Sequence, residues 1–367
     1  MKRFTAGVLL FLLPLALFVG AFGLGVWRSG EPFTEEEITQ KITEGEPAFF
    51  GLAYRDNRQY YKHLMASAKA ADLLVLGSSR SMQFSSDFFT TDSFYNAGGG
   101  ANYVHEFRFF LENLPEEALP ETLIVVLDQY YFQEGWSSLP SWPELSYDTT
   151  PFAPVDTLLR VMQDWAVGKI RLRDLLAPPP HSYGIAAAGR GSGFYPDGSY
   201  SYGNLADHPE NGTDVGFADS FDRIARGVNR FEWADTVYPD SLQEMGRLME
   251  FCKQHGIQVV GVIPPYAPAV YDRMMESGKY GYLQQLPQAL TDLMRPYGFE
   301  LFDFTHMPDT RDAEYIDGYH GGDRVYARLT LTLAEQSRIL AGMVDTRYLT
   351  EALAVEENPL RLTKPLA

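Results

Sequence analysis

The sequence predicts an α/β protein with a doubly wound, mainly parallel five-stranded sheet. Five short segments are predicted to be strands, and three of them, 73–76, 122–127 and 257–263, have the apolar, branched composition that is typical of strands buried on both faces. Segments with helical periodicity alternate with these strands, and such alternation is typical of a parallel sheet covered by helices. The predicted strands are 73–76, 93–96, 122–127, 257–263 and 299–304.

The helical segments carry apolar residues at every third or fourth position, so that one face of each helix can pack on the sheet. In the helix after the second strand, for example, Val104, Phe107 and Leu111 share one face. The predicted helices are 58–71, 103–114, 240–255, 283–294 and 324–340.

Residues 134–238 interrupt the alternation as a long insertion rich in proline, glycine and aromatic residues. A plain loop of this length is unusual in a compact domain. We expect a short helix near 155–165 and leave two interpretations open. The insertion is either a cap that shapes a substrate site or a passive excursion.

The N-terminus carries an uncharged, mostly apolar run over 4–27, between the pair Lys2 and Arg3 and the single Arg28. The run is long enough to cross a bilayer core of about 30 Å. The basic pair ahead of it predicts a cytoplasmic N-terminus and export of the remaining chain. A cleaved signal peptide is the alternative, because small residues at 19–21 resemble a cleavage site. The length of the run favours a retained anchor.

These features predict a single-pass protein of the cytoplasmic membrane whose globular part lies outside the cytoplasm, in the periplasm or its equivalent. Four regions are expected along the chain: a membrane anchor with a short cytoplasmic N-terminus (1–30), a stalk (31–57), an α/β domain with its insertion (58–345) and a C-terminal tail (346–367).

Composition narrows the possible chemistry. The formal net charge of -18 argues against a nucleic-acid partner, because phosphate binding needs a basic surface. The single cysteine, Cys252, lies in an apolar helical pattern, which favours a buried thiol over a nucleophile. No cluster matches a metal-ligand spacing, and the glycines at 98–100 lack the lysine of a phosphate-binding loop. We therefore expect neither a metal nor a cofactor.

Serine hydroxyls follow the first predicted strand directly, at Ser78, Ser79 and Ser81. The carboxyl ends of parallel strands are where open α/β sheets bind ligands. Gly77, which precedes the serines, allows the chain to turn sharply, so that a hydroxyl can stand clear of the sheet. A serine nucleophile at this position needs a base from elsewhere in the chain.

The base is expected in the loop after the fifth strand, where Asp317 and His320 lie three positions apart. A histidine can take the proton of a serine hydroxyl near neutral pH, and an aspartate can fix its tautomer and stabilise the imidazolium. Among the other histidines, His306 is the nearest rival, because it follows the same strand.

The order of these blocks resembles the SGNH/GDSL hydrolase superfamily: Gly-Ser-Ser at 77–79, Asn-x-Gly at 96–98, a third strand with a polar end, and Asp-x-x-His at 317–320. The resemblance covers the core from 73 to 340 without the insertion. It implies a flavodoxin-like SGNH fold.

The resemblance also implies the roles of single residues. Ser79 would be the nucleophile, with Asp317 and His320 completing a triad. Gly98 would lend its backbone N–H to the oxyanion hole, with Gly99 or Gly100 as alternatives, and Asn96 would support it.

The third block departs from the family, which has an asparagine where this chain reads Asp128-Gln129. Gln129 is expected to donate to the oxyanion in its place, because the anionic Asp128 would repel a developing negative charge. We expect Asp128 to pair instead with Arg80, since the first and third strands are neighbours in this topology.

The anchor, the Gly-Ser-Ser-Arg block and the segment 194–198 (Phe-Tyr-Pro-Asp-Gly) resemble one branch of the family. That branch consists of anchored extracytoplasmic proteins that modify envelope polymers, such as the alginate O-acetylation proteins and the D-alanyl transfer protein of teichoic acid assembly. The resemblance implies an acyl transferase that works beside a membrane-bound O-acyltransferase and passes an acyl group to a polysaccharide or other polymer. Two alternatives remain: an esterase or deacylase that uses water, and a catalytically silent scaffold or glycan-binding protein.

Overall fold

The computed structural model describes residues 2–55, 58–138 and 153–362. The described helices are α1 (Lys2–Arg28), α2 (Glu35–Thr43), α3 (Arg58–Lys69), α4 (Val104–Glu112), α5 (Glu134–Ser137), α6 (Ala153–Ala166), α7 (Leu172–Leu176), α8 (Ile185–Arg190), α9 (Asn204–Asp207), α10 (Ala218–Arg226), α11 (Pro239–Gln254), α12 (Pro268–Ser277), α13 (Tyr282–Met294), α14 (Asp323–Gln336) and α15 (Thr346–Ala354). The described strands are β1 (Phe49–Phe50), β2 (Leu73–Gly77), β3 (Phe94–Gly98), β4 (Thr122–Val126), β5 (Ser182–Tyr183), β6 (Gly193–Phe194), β7 (Tyr200–Ser201), β8 (Gln258–Ile263) and β9 (Glu300–Asp303).

The chain divides into two compact units that interleave along the sequence. Unit 1 combines Met1–Asn57, Ser146–Pro196 and Ser201–Asn204. Unit 2 combines Arg58–Leu145, Asp197–Tyr200 and Leu205–Ala367. The predicted insertion at 134–238 is therefore shared between the units.

Unit 2 contains a five-stranded sheet in the order β3-β2-β4-β8-β9, and its strand pairs are parallel. The predicted α/β class and the five predicted strands are confirmed, with ends that differ by one or two residues. Strands β2, β3 and β4 are buried along their whole length; β2 and β4 are largely apolar, whereas β3 also buries the polar Asn96.

The register of the sheet brings the candidate segments to one edge. Gly77 at the end of β2 is paired with Gly98 at the end of β3. On the other side of β2, Leu76 is paired with Val125 of β4. The turns that follow these three strands consequently leave the sheet side by side.

The predicted helices of unit 2 are present as α3, α4, α11, α13 and α14. Helices α5, α9, α10, α12 and α15 were not predicted. Helix α12 follows the Pro264-Pro265 pair and begins with Pro268 in its first turn, a position that tolerates proline. Helix α15 lies in the expected tail, and its Leu349 and Ala352 are buried.

Unit 1 begins with helix α1, whose segment Leu10–Arg28 has a mean hydropathy of 2.2 and is long and apolar enough to cross a membrane. Most of the large side chains that the structure describes on this helix are exposed, whereas Phe22 and Val26 near its end are buried. Those two pack with Val161 of α6 and Leu175 of α7. The predicted short helix near 155–165 is thus present, as α6.

Residues 31–57, for which a stalk is predicted, hold helix α2 and strand β1. Strand β1 pairs with β5 and β6 in a small sheet of order β5-β1-β6-β7. The carboxylate of Glu31 is buried and accepts hydrogen bonds from the backbone N–H groups of Ala53 and Ile185. These contacts make the segment part of a folded unit.

Candidate active site

Ser79 begins a short 3₁₀ turn, Ser79–Ser81, immediately after strand β2. The turn closes locally, because the Ser78 hydroxyl accepts from the Arg80 N–H (3.1 Å) and the Ser81 hydroxyl donates to the Ser78 carbonyl (2.8 Å). Gly77 is required beneath it, since a Cβ there would lie 2.9 Å from that of Val126. Ser78 and Ser81 are buried, whereas Ser79 is partly exposed. Of the three hydroxyls, that of Ser79 is accessible to a substrate.

The predicted triad residues lie together although 241 positions separate the serine from the histidine. The Ser79 Oγ lies 2.8 Å from Nε2 of His320. The other ring nitrogen, Nδ1, lies 2.7 Å from Oδ2 of Asp317. Both distances are within hydrogen-bond range, and the His320 side chain is 13% exposed. This is the geometry of a serine nucleophile, a general base and an orienting carboxylate.

Asp317 determines which ring nitrogen of His320 carries the proton. Its Oδ1 accepts the backbone N–H groups of Tyr319 (3.0 Å) and His320 (2.9 Å). Burial alone would raise the pKa of Asp317, but the His320 ring and these two N–H groups outweigh burial and hold the pKa below its usual value. The ionised carboxylate accepts from Nδ1, which leaves Nε2 to take the serine proton.

The loop that carries Asp317 and His320 is closed on itself. Tyr315 and Gly321 form an antiparallel bridge, and the Ile316 N–H donates to the His320 carbonyl (2.9 Å). This arrangement places the two side chains on the turn between the bridged residues, directly ahead of helix α14.

Sequence reasoning missed Asp214, a residue of the insertion whose carboxylate holds this loop. Its Oδ2 accepts from the Gly318 N–H (3.0 Å) and the Ser220 hydroxyl (2.6 Å). Its Oδ1 accepts from the N–H groups of Asp219 and Ser220 in the first turn of α10. An aspartate four residues before a helical segment was the available signal, but it indicates a helix start and not the distant contact with Gly318.

Arg80 carries the predicted ion pair. Its Nη1 lies 3.1 Å from Oδ1 of Asp128, and both side chains have no exposed surface. The Tyr130 hydroxyl donates to the other oxygen of Asp128 (2.7 Å), and the guanidinium lies 4.7 Å from the ring centroid of Tyr266. A buried carboxylate is thereby neutralised directly behind the serine turn.

Arg80 also joins the serine turn to the histidine loop. Its Nε donates to the Tyr319 carbonyl (2.9 Å), and its Nη2 donates to the carbonyls of Pro264 (3.0 Å) and Pro265 (2.7 Å). The Tyr326 hydroxyl of α14 donates to the Arg80 carbonyl. The positions of Ser79 and His320 are therefore set by one buried side chain.

The predicted oxyanion donor Gly98 is engaged within the protein. Its N–H donates to the side-chain oxygen of Asn96 (2.7 Å), and the Asn96 amide donates to the carbonyls of Ser81 (2.9 Å) and Phe84 (2.7 Å). Asn96 thus supports the serine turn, and it occupies the N–H that was expected to bind the oxyanion.

The alternatives Gly99 and Gly100 are engaged as well. The Gly99 N–H donates to the Gly77 carbonyl (2.8 Å), and the Gly100 N–H donates to the Ala97 carbonyl (2.9 Å). In contrast, the backbone N–H of Ser79 has no acceptor among the described residues. This N–H is the donor that remains for an oxyanion in the described conformation.

Gln129 is not an oxyanion donor, and that prediction is wrong. Its side chain is fully buried, and its amide nitrogen donates to the Pro264 carbonyl (2.7 Å) and the Thr305 hydroxyl (3.1 Å). Its amide oxygen accepts from Arg80 Nη1 (2.7 Å). Both amide hydrogens are used, so Gln129 is a structural partner of Arg80.

Lys62 is a second residue that the sequence reasoning missed. It is fully buried, and its ammonium group donates to the carbonyls of Asn96 (2.8 Å) and Gly198. The neighbouring Asp197 accepts the Asn96 N–H on its carbonyl (2.8 Å) and the Ser86 N–H on its side chain (2.8 Å). The Asp-Gly end of the segment 194–198 thereby fastens the end of strand β3.

Two other candidates lie outside the site. His306 is exposed, with its ring stacked on Tyr271 at 4.7 Å between centroids. Cys252 is buried, and burial raises the pKa of its thiol to about 12, which disfavours a nucleophilic thiolate. Within the residues that the structure describes, no group of three or more His, Cys, Asp or Glu side chains is placed to hold a metal ion.

No family model matches this sequence, and no curated protein is significantly similar to it.

Proposed function

We propose that the protein is a Ser-His-Asp acyl transferase that acts outside the cytoplasm and passes an O-acyl group, such as acetyl, to a polysaccharide or other envelope polymer. The observation that carries the proposal is the hydrogen-bond chain from Ser79 Oγ through His320 (2.8 Å) to Asp317 (2.7 Å). The accessible hydroxyl at the carboxyl end of a buried parallel strand supports the same interpretation.

In the proposed mechanism, His320 Nε2 takes the hydroxyl proton of Ser79 while Oγ attacks the acyl carbonyl of the donor. The imidazolium, stabilised by Asp317, then gives that proton to the departing oxygen of the donor, and the acyl group remains on Ser79. In the second half, His320 takes the proton of an acceptor hydroxyl, which attacks the acyl carbon, and the proton returns to Ser79. The Ser79 N–H is positioned to bind the oxyanion in both halves.

The strand order supports membership of the SGNH/GDSL superfamily. Numbered by their succession in unit 2, the five parallel strands lie in the order 2-1-3-4-5. This is the order of flavodoxin-like doubly wound sheets, which bind ligands where the strand order reverses. In this sheet the reversal falls at β2, the strand that Ser79 follows.

The apolar helix α1 supports a membrane location. We infer a cytoplasmic N-terminus and an extracytoplasmic catalytic domain, since Lys2 and Arg3 precede the apolar segment. A membrane-bound O-acyltransferase is the proposed acyl donor, because an anchored acceptor of acyl groups would lie beside such a partner.

Two other functions have support from specific observations. The triad activates water and a polymer hydroxyl equally well, so an esterase or deacylase is the second candidate. The internal bonds of Gly98 and Gln129 favour the third, a catalytically silent scaffold or glycan-binding protein, because a single described N–H remains for the oxyanion.

The test is covalent labelling with a fluorophosphonate, which reacts with activated serines. The full-length protein should be labelled, and Ser79→Ala should abolish labelling. Ser277→Ala, a matched change on helix α12, should leave it intact. Labelling that survives in Ser79→Ala would move the nucleophile to another serine, and an unlabelled wild type would favour the silent scaffold.

Transfer and hydrolysis are separated by the fate of the acyl group. With 4-nitrophenyl acetate as donor, a transferase should release nitrophenol faster when a polysaccharide is added and should place acetyl on the polymer. An esterase should turn over at full speed without the polymer and yield acetate alone.

A further inference from the structure

Arg230, a residue of the insertion, contacts Tyr319, and Tyr319 in turn contacts the catalytic histidine, His320. Its Nη1 donates to the Tyr319 hydroxyl (3.0 Å), and the Tyr319 ring lies 4.5 Å from the His320 ring between centroids. The Tyr319 N–H donates in turn to Asp317. The guanidinium is therefore linked to the catalytic histidine through the Tyr319 side chain.

Aromatic rings surround this guanidinium. Its central carbon lies 5.5 Å from the Tyr130 ring centroid, 5.2 Å from that of Trp136 and 5.7 Å from that of Tyr319. Tyr103 stacks on Trp136 at 5.4 Å between centroids, with the two planes 16° apart. Tyr103, Trp136 and Arg230 are partly exposed, and the face of an aromatic ring beside a cation can contact a planar or sugar ring of a ligand.

Among the described residues, the carboxylate of Asp128 acts on this cation at longer range only, and no carboxylate pairs with it directly. Arg230 forms no ion pair there, and its Nε has no hydrogen-bond partner. Asp128, the carboxylate on the far side of Tyr130, is paired with Arg80. The carboxylate of Glu232, two positions along the chain, accepts from Gln133 (2.9 Å).

The backbone at this point is held in an unusual conformation. Asn229 has φ of 54° and Arg230 has φ of 78°, in the left-handed region that a residue with a long side chain seldom adopts. Such conformations persist where surrounding structure demands them, and they concentrate at ligand-binding positions. Here the turn directs the guanidinium toward Tyr319.

We propose that Arg230 binds a carboxylate carried by the substrate, so that the enzyme prefers anionic over neutral acyl compounds. The inference rests on the proposed function and names the substrate class of the same site. A guanidinium is suited to a carboxylate because its planar N–H groups match the two oxygens. The formal net charge of -18 repels anions from the protein as a whole. A local cation therefore distinguishes this position from the rest of the surface as a place where an anionic substrate can bind.

The test compares two esters of the same shape, 4-acetoxybenzoate and neutral 4-acetoxybenzamide. Wild type should favour the benzoate in kcat/KM by about tenfold or more, and Arg230→Gln should raise KM for the benzoate by a similar factor with kcat retained. On the benzamide, which lacks the carboxylate, Arg230→Gln should cost much less than on the benzoate. The control is Arg226→Gln, an exposed arginine of α10 paired with Asp222, which should keep the preference.

Three results would overturn the inference: a wild type that does not distinguish the esters, an equal loss on both esters in Arg230→Gln, or the same loss in Arg226→Gln. A second measurement works without turnover, so that failure of the proposed function is distinguishable. The unreactive 4-hydroxybenzoate should change Trp136 fluorescence saturably, and Arg230→Gln should lose this signal while Trp136→Phe identifies its source. An absence of saturable change in wild type would overturn the inference even where Ser79 is labelled.

Discussion

The two sides of the candidate serine differ in how their polar groups are used. On the histidine side, Ser79 and His320 are partly exposed, and their polar side-chain atoms bond to each other. On the glycine side, the donors of Gly98 and Gln129 are consumed by other groups of the chain. The proposed nucleophile and base can therefore be predicted from side-chain identity. An oxyanion donor cannot, because it depends on which N–H groups the loops leave without an acceptor.

The largest expected effect concerns the histidine side. Asp317→Asn should slow fluorophosphonate labelling of Ser79 by about 10³- to 10⁴-fold, because an amide no longer holds His320 in the tautomer that accepts the serine proton. Asp309→Asn, an exposed aspartate of the same connecting segment, is the matched control and should label normally. Equal labelling of the two variants would show that Asp317 does not orient the base.

The second prediction removes the side chain that joins both sides. Arg80→Met leaves Asp128 buried without its cation, which should lower the free energy of unfolding by about 3–5 kcal/mol in urea denaturation. The double variant Arg80→Met with Asp128→Asn should recover part of the loss, because no buried charge remains. Unchanged stability and an unchanged labelling rate in Arg80→Met would refute the anchoring role.

The third prediction tests the glycine side directly. Asn96→Ala removes three hydrogen bonds and leaves the Gly98 N–H without its acceptor, so the free energy of unfolding should fall by about 2–4 kcal/mol. The rate of Ser79 labelling should stay within about tenfold of wild type. The control is Asn96→Asp, which keeps a side-chain acceptor for the Gly98 N–H. A marked acceleration in the alanine variant alone would mean that Gly98 becomes an oxyanion donor once released, and the contrast between the two sides would fail.

The smallest effect is a pH dependence from Lys62. Burial lowers the pKa of this ammonium well below its usual value, although the nearby Asp197 opposes the shift. The unfolded chain therefore binds more protons than the folded one between the lowered pKa and about 10.5, and stability contributed by this group rises with pH across that window.

The measurement for Lys62 is the difference in unfolding free energy between wild type and Lys62→Met at pH 8 and pH 10. It should shift in favour of wild type, by at most about 1.4 kcal/mol per pH unit. Because both proteins share the same tyrosines and carboxylates, other titrations cancel. A difference that is flat or falls over this range would show that the ammonium keeps an ordinary pKa.

Much of this architecture could be predicted, since local composition determines it. Strands β2, β4 and β8 come from largely apolar runs, and the triad residues follow strand ends that a parallel sheet must bring to one edge. The ion pair of Arg80 with Asp128 followed from the adjacency of β2 and β4. In each case residue type and strand order together sufficed.

The failures share a different cause. The bonds of Gln129 to Pro264 and of Asp214 to Gly318 join positions more than 100 residues apart, and no local pattern encodes them. The engagement of Gly98 depends on the rotamer of Asn96 two positions earlier. The division of the insertion between two units likewise depends on which distant segments pack together, which composition alone does not specify.

The hydrogen bonds of Arg80 have a mechanical consequence. One guanidinium, sealed from solvent, donates to the histidine loop and to the Pro264-Pro265 turn, so the nucleophile and its base are clamped as a single rigid piece. On the proposed function, a site held in this way needs no closing movement to become reactive. We expect binding and release of acyl compounds at the serine, and not a rearrangement of the triad, to limit the rate of the reaction.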